Sequence, residues 1–222
     1  MTLHGALLRL GARLPLRWQL PAHALLDRWA AIEPEMACLE RIGPCAGTAV
    51  DVGANYGPYS YFLARRYARV LAFEPNLPVA RPLVAWAHPA VTVHGVALSD
   101  TEGHATLHVP TLDGREMTGW ASLDAGRLGA ATATRALDVP VRTLDSYGLD
   151  DVGFMKIDVE GHELAVLRGA RATLERCRPH LLLELGDPAA ERLLADLGYR
   201  RRTLEELAGV AGARQNAIFT PT

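Results

Sequence analysis

Apolar residues occur along this chain in short runs that alternate with segments of helical spacing. Residues 50–52, 70–73 and 91–98 are runs of strand length, and residues 58–69 and 77–87 between them carry apolar positions at helical spacing. Strands separated by helices of this length are typical of parallel βαβ units with right-handed crossovers. The pattern therefore predicts a doubly wound α/β fold, a mostly parallel sheet with helices on both faces.

The second half of the chain continues this alternation and then changes direction. Strands are predicted at 105–109, 139–144, 153–157 and 180–185, and helices at 163–176 and 188–197. The tail, at residues 199–203 and 216–219, is predicted to form a closing hairpin. The sheet is thus expected to be parallel except for an antiparallel strand from the C-terminal part of the chain.

Two segments fall outside this rhythm. Residues 1–46 have a helical pattern and end in glycine and proline, which predicts a helical segment serving as a lid or a dimer contact. Residues 110–137 contain several glycines and no sustained period, which predicts an irregular lid over the substrate. Residues 47–222 are interpreted as one domain that includes this lid.

Composition narrows the classes of partner. The 222 residues are 49% hydrophobic with a formal net charge of −2, so the overall charge gives no reason to bind nucleic acid or an anionic membrane. Three cysteines without paired spacing disfavour a disulfide framework or a zinc site and suit a reducing cytoplasm. No apolar run approaches the roughly 20 residues of a membrane span. A cytoplasmic protein without stable membrane insertion is expected.

The first 20 residues nevertheless have an amphipathic pattern. Leu3, Leu7, Leu10 and Leu14 would line one face of a helix, with arginines on another. Such a helix could touch a membrane surface, but packing as a lid or in a homodimer is the favoured interpretation.

A glycine turn follows the first predicted strand, and an acid follows the second. Gly53 and Gly57 permit a tight turn and a close approach of a ligand, and Glu74 is placed to accept hydrogen bonds from ribose hydroxyls. A dinucleotide site would need a glycine where Asn55 stands. Asp51, expected to point into the pocket, suits a cationic sulfonium better than a pyrophosphate. The pattern favours S-adenosylmethionine over NAD.

With these motifs the chain resembles the FkbM family of S-adenosylmethionine-dependent methyltransferases. The matching blocks lie within residues 35–185 and are 51–57 (DVGANYG), 73–76 (FEPN), 97–100 (ALSD), 142–145 (RTLD) and 156–163 (KIDVEGHE). The resemblance implies the Rossmann-like fold of class I methyltransferases, with S-adenosylmethionine as cofactor and S-adenosylhomocysteine as product. The first acid and the glycine turn would hold the methionine part, the second-strand acid the ribose, and the residues after the third strand the adenine. The implied cofactor residues are Asp51, Gly53, Ala54, Asn55, Tyr56, Gly57, Glu74, Pro75, Asn76, Ser99, Asp100 and Asp158.

The block after the strand at 153–157 carries the candidate catalytic residues. The resemblance places this block beside the transferable methyl group. Asp158 is therefore predicted to orient the cofactor or the acceptor, and His162 or Glu160 to take the proton of an acceptor hydroxyl. Capping of the following helix is the structural alternative for His162. Asp158, Glu160 and Glu184 could instead gather as oxygen ligands for Mg²⁺. A site without a metal is favoured.

Three residues are predicted to meet the acceptor. Trp120 and Ser122 lie in the irregular segment, and Glu184 ends a buried strand. Trp120 could stack on a sugar or macrocycle or could anchor the lid to the core. The predicted function is methylation of a small molecule, glycan or natural product, and the resemblance to the family implies that the acceptor atom is oxygen. The alternatives are a methyltransferase-like binding module without activity and, less favoured because the middle glycine is missing, a nicotinamide-dependent oxidoreductase.

Overall fold

The structure is a computed structural model, and it describes residues 10–30, 34–112, 115–124, 126, 133–184, 187–210 and 216–222. The strands in these ranges are β1 (Thr48–Val52), β2 (Arg69–Phe73), β3 (Val91–His94), β4 (Ala97–Leu98), β5 (Gly103–Leu112), β6 (Arg115–Glu116), β7 (Ala133–Arg142), β8 (Val152–Ile157), β9 (His180–Glu184), β10 (Tyr199–Arg202) and β11 (Asn216–Pro221). The helices are α1 (Leu16–Trp29), α2 (Pro34–Ile42), α3 (Pro58–Leu63), α4 (Leu77–Trp86), α5 (Glu163–Gly169), α6 (Arg171–Cys177), α7 (Pro188–Asp196) and α8 (Leu204–Ala208).

Seven strands form the central sheet in the order β10-β11-β9-β8-β1-β2-β3. Strands β1, β2, β3, β8 and β9 are parallel, whereas β11 runs antiparallel to both β9 and β10. The predicted Rossmann-like architecture with an antiparallel C-terminal strand is confirmed. The hairpin expected from the tail is also confirmed, because β10 and β11 pair along four residues.

Helices cover both faces of the sheet because its central strands are apolar on both sides. All five residues of β1 are buried. One core gathers side chains such as Leu20, Ile42 and Leu63 from α1, α2 and α3. The core on the other face gathers Val166 and Leu174 from α5 and α6, together with residues of α7.

Strand register brings the predicted site residues to one edge. Val52 at the end of β1 is level with Phe73 of β2 and with Ile157 of β8. The residues that follow these strands therefore leave the sheet side by side. Strand order reverses around β1, and ligands of open α/β sheets bind at such switch points.

A second sheet, in the order β4-β7-β5-β6, was not expected. The predicted strand at 105–109 belongs to β5, which pairs antiparallel with β7 from Gly103 opposite Val141 to Thr111 opposite Ala133. It is therefore not a continuation of the parallel sheet. Apolar residues of β4, β5 and β7 form a separate core. The segment 110–137 is thus partly regular, and its role as a lid stays a prediction.

Two predicted helices are shorter than their patterns. The helix expected at 163–176 is divided at Ala170 into α5 and α6. Gly169, which ends α5, packs so closely on the β4 end that a Cβ there would lie 1.9 Å from the carbonyl oxygen of Ser99. The helix expected at 58–69 ends at Leu63.

The N-terminal segment is helical where it is described. Helices α1 and α2 occupy it, and α1 packs against α3 and α4. Leu3 and Leu7 lie outside the described residues. Within the described ranges, no helix combines the length and the apolar character needed to cross a bilayer.

Candidate active site

A cavity of about 530 Å³ opens at the carboxyl edge of the central strands. Its walls come from the two loops after β1 and β8, from the end of β2, and from the segment before β7. The predicted site residues that line it are Gly53, Ala54, Asn55, Tyr56, Glu74, Pro75, Trp120, Asp158, Glu160, His162 and Glu184. Among the residues that the sequence did not single out, Asp27, Met36, Tyr59, Lys156 and Asn216 also line it.

Glu74 holds the glycine turn together. Its Oε2 accepts a hydrogen bond from the backbone N–H of Asn55, and its Oε1 accepts one from that of Asn76, both at 2.8 Å. Asn55 adopts φ +52°, and its own side-chain oxygen accepts from the N–H of Tyr56. Asparagine tolerates this left-handed conformation better than most residues. Burial raises the pKa of Glu74, and the two backbone N–H groups oppose that rise.

Asp51 lies behind the cavity and does not line it. Its side chain is fully buried, and its Oδ2 accepts a hydrogen bond of 2.6 Å from the hydroxyl of Ser60 in α3. Its Oδ1 has no hydrogen-bond partner and lies 3.8 Å from Nζ of Lys156. Burial raises the pKa of Asp51, and Lys156 lowers it. The expectation that Asp51 points into the pocket is wrong, because its side chain faces α3 instead.

Lys156 is a functional candidate that was missed from the sequence. Its Nζ donates to the carbonyl oxygen of Gly53 at 3.0 Å and lies 3.3 Å from Oδ2 of Asp158. It also lies 5.1 Å from the ring centre of Tyr59. The side chain is only 6% exposed, and it joins the loops after β1 and β8. A single lysine inside the apolar strand VGFMKI was the available signal.

Three carboxylates meet at the ends of β8 and β9, whereas Glu74 follows β2 on the other side of β1. One oxygen each of Asp158, Glu160 and Glu184 lies within 4.8 Å of the others. Burial raises the pKa of Glu184 to about 8, and the charges of Asp158 and Glu160 add to that rise. These are the three acids named in the sequence analysis as the alternative set of Mg²⁺ ligands. Lys156 already supplies a cation beside Asp158, so a metal there would meet a like charge.

His162 is held by the residues after β4. Its Nε2 lies 2.8 Å from the hydroxyl oxygen of Ser99, and that hydroxyl donates to Oδ1 of Asp100. In the tautomer that carries its proton on Nε2, His162 donates to Ser99 and Ser99 donates to Asp100, which leaves the lone pair on Nδ1. Burial lowers the pKa of His162, so the neutral ring is favoured. Ser99 and Asp100 thus orient His162 and are not among the residues that line the cavity.

Three other residues predicted to contact the cofactor or the acceptor do not line the cavity. Gly57, at φ +104°, packs against Leu83 so closely that a Cβ would lie 2.7 Å from it. Asn76 is buried beside Glu74. Ser122 is buried, and its hydroxyl donates to the carbonyl oxygen of Glu160 at 2.8 Å. These residues are placed behind the walls of the cavity, whereas Trp120 lines it and is 56% exposed.

Glu160 is strained. It adopts φ +52°, a conformation that costs an L residue roughly 1–2 kcal/mol. We expect Glu160→Gly to raise the free energy of unfolding by about 0.5–1 kcal/mol, because relief of strain exceeds the added freedom of the unfolded chain. Urea unfolding measures this change. Ala87→Gly, at φ +51° and away from the cavity, is the matched control and should show a similar gain. A loss of stability in Glu160→Gly would contradict strain at this residue.

Comparison with known proteins gives consistent matches. The model of the methyltransferase FkbM domain matches residues 51–208. AMB antimetabolite synthetase AmbE of Pseudomonas aeruginosa is 31% identical over 179 residues, which cover 77% of this chain and 8% of that protein. Methyltransferase sdnD of Sordaria araneosa is 28% identical over 188 residues, covering 68% of this chain and 72% of that protein. The chain thus corresponds to a small part of the synthetase.

Two solved structures are similar to this chain at low sequence identity. A mutant of MtNAS has a TM-score of 0.50 at 13% identity, with 99% of this chain and 70% of that chain covered. Methyltransferase FkbM from Methylobacillus flagellatus KT has a TM-score of 0.48 at 19% identity, with 97% of this chain and 58% of that chain covered.

Proposed function

The chain belongs to the methyltransferase FkbM domain family, and on this premise we propose that it transfers a methyl group from S-adenosylmethionine to a hydroxyl of a small molecule. The observation that carries the proposal is the shared cavity. Glu74, suited to a ribose, and His162, suited to accept a proton, line one space of about 530 Å³. Cofactor and acceptor would meet there, between the ends of β1 and β8.

The cofactor half of the cavity supports S-adenosylmethionine. Each oxygen of Glu74 accepts one backbone hydrogen bond, which leaves a second lone pair on each for ribose hydroxyls. Asn55 stands where a pyrophosphate site would need glycine. Phe73, Ala97 and Leu98 offer apolar surface for an adenine.

The other half supports the chemistry of the acceptor. When bound, the cofactor supplies an activated methyl carbon. Nδ1 of His162 would take the proton of the acceptor hydroxyl as the acceptor oxygen receives the methyl group. Asp158 orients the reactants from the loop after β8, and Trp120 and Glu184 contact the acceptor. The names of AmbE, an antimetabolite synthetase, and sdnD, a methyltransferase, support an acceptor in small-molecule biosynthesis.

Cofactor binding is tested by calorimetry with S-adenosylmethionine and with NAD. We expect binding of the first only, and a loss of about 10- to 100-fold in Glu74→Gln, because a buried charged acceptor is removed. Glu191→Gln, a change in a partly exposed acid that pairs with Arg201 away from the cavity, is the control and should bind normally. Binding of NAD alone would overturn the proposal.

The base is tested by the pH dependence of turnover. Because burial lowers the pKa of His162, kcat should rise through a pH below the usual 6.5 of imidazole and then stay level. His162→Gln should lower kcat by about 10²- to 10⁴-fold and leave the affinity for S-adenosylmethionine unchanged. If Glu184 were the base, its pKa of about 8 would move the rise to near pH 8. That outcome would contradict the assignment to His162.

The acceptor is identified by mass spectrometry of a metabolite extract incubated with the enzyme and labelled cofactor. A small molecule that gains one methyl group is expected, whereas cofactor binding without any product would indicate a binding module.

The same assay tests whether the reaction needs a metal ion. Activity should survive exhaustive chelation, because Lys156 supplies the cation beside Asp158.

A further inference from the structure

Large apolar side chains are exposed on two helices that pack against each other, α1 and α4. Nine are exposed among the described residues, and seven of these belong to α1, the turn before it, or α4. Trp18 is 54% and Trp29 70% exposed. The seven are Leu10, Leu14, Trp18, Leu25, Trp29, Leu77 and Val84. A patch of this kind on a soluble domain marks an interaction surface.

Helical spacing makes the patch continuous along α1. Trp18, Leu25 and Trp29 recur at intervals of seven and four residues, whereas Leu20 and Ala24 face the core and are fully buried. Helices α1 and α4 pack against each other, so the exposed residues of both belong to one pair of neighbouring helices. We call the exposed residues of residues 10–29 and of α4 the α1–α4 surface.

The charges on the α1–α4 surface are of one sign. Its exposed charged residues are Arg13, Arg17 and Arg81. Within residues 10–30 and 77–86 the acid present is Asp27, which accepts a hydrogen bond from the hydroxyl of Tyr56 and lines the cavity. The side chain of Arg17 lies 5.8 Å from the ring centre of Trp18. A basic and apolar surface therefore stands on a chain whose net charge is −2.

We propose that the α1–α4 surface docks the protein peripherally on a membrane that contains anionic lipids. Tryptophan and leucine suit the boundary between headgroups and acyl chains, and the arginines suit acidic headgroups. A second copy of the chain fits less well. A symmetric contact would place this surface against itself, arginine against arginine. Helix α1 has 14 residues, too few to span a bilayer, so the contact is superficial.

Docking is independent of the proposed methyl transfer, because it uses none of the residues assigned to cofactor or acceptor. It is tested by sedimentation with two kinds of vesicle, one of phosphatidylcholine mixed with phosphatidylglycerol and one of phosphatidylcholine alone. We expect binding to the first, weakening as salt is raised, with a blue shift of tryptophan fluorescence. Little binding to the second is expected.

Variants separate the contribution of the arginines to membrane binding from that of the tryptophans. Neutralising Arg13, Arg17 and Arg81 together by glutamine should lower the partition coefficient about 100-fold. Trp18→Ser with Trp29→Ser should abolish the blue shift. Because both sets lie on exposed positions, the unfolding temperature should be unchanged, and unfolding curves confirm that the variants fold. Arg171→Gln with Leu112→Ser, exposed positions elsewhere, are the control and should bind as the unaltered protein does.

Two results would overturn the proposal. One is failure of the unaltered protein to bind the anionic vesicles at low salt, or equal binding to both kinds of vesicle. The other is a dimer in analytical ultracentrifugation that Trp18→Ser with Trp29→Ser dissociates, since the surface would then be covered by a second copy. Methyl transfer in solution should persist in all these variants, so loss of docking and loss of activity remain distinguishable.

Discussion

Lys156→Met is expected to lower the free energy of unfolding by about 3–5 kcal/mol, because it leaves the buried carboxylate of Asp51 without a cation. Oδ2 of Asp51 accepts a hydrogen bond from the hydroxyl of Ser60, whereas Oδ1 has no hydrogen-bond partner and lies 3.8 Å from Nζ of Lys156. Methionine preserves most of the side-chain length, so the change reports mainly on charge. Urea unfolding at pH 8 measures it.

The effect should depend on pH in a definite direction. Burial raises the pKa of Asp51, so the carboxyl is neutral in acid and becomes charged as pH rises through that raised value. Removing Lys156 raises the pKa further. The deficit of Lys156→Met should therefore be smallest in acid and grow towards pH 8.

Two further variants make this result specific. Asp51→Asn added to Lys156→Met should recover most of the lost stability, since no buried charge is left without a partner. Arg171→Met removes an exposed cation that pairs with Glu175 and should cost less than about 1 kcal/mol. Equal losses in Lys156→Met and Arg171→Met would show that the buried ion pair does not stabilise the fold.

Gly53→Ala is expected to cost more than about 3 kcal/mol and to weaken cofactor binding at least tenfold. Gly53 has φ +73°, which costs an L residue roughly 1–2 kcal/mol. A Cβ at this position would also lie 1.9 Å from the carbonyl oxygen of Asp158. The loops after β1 and β8 would have to separate, and both line the cavity.

Gly148→Ala distinguishes the two contributions. Gly148 has φ +61°, but no atom lies within 4 Å of the position of its Cβ. This control therefore contains the backbone strain without the collision and should cost about 1–2 kcal/mol. If both alanine variants lost the same stability, close contact between the loops would not be what requires glycine at position 53.

The central sheet could be predicted because its strands are short apolar runs that follow each other at regular intervals. Strands that are covered on both faces, such as β1 and β8, consist mainly of apolar residues, and Val50 and Met155 in them are fully buried. The β5–β7 hairpin could not be predicted in the same way. Strand β5 contains threonine, alanine and histidine and few large apolar residues. Its partner β7 follows a segment that is rich in glycine.

For the site, the sequence indicated which residues follow strands but not which way their side chains point. Glu74, Asp158 and His162 line the cavity, and their roles there stay predictions. Asp51 lies within β1, where successive side chains alternate between faces, and only the packing of α3 shows which face it meets. Lys156 was missed for a related reason, since Asp51 and Gly53 are brought to it by strand register rather than by spacing in the sequence.

The segment between His108 and Ser122 is closed at its base by two backbone hydrogen bonds of 2.9 and 3.0 Å. Ser122 then fastens that base to the carbonyl of Glu160. Changes in the length or composition of the residues between His108 and Ser122 would leave the hydrogen bond of Ser122 to Glu160 in place, although they would alter the cavity wall that carries Trp120. We expect that this segment can be replaced as a unit. Replacing it with the corresponding segment of a relative should change which molecules are accepted, while the methyl donor is held as before.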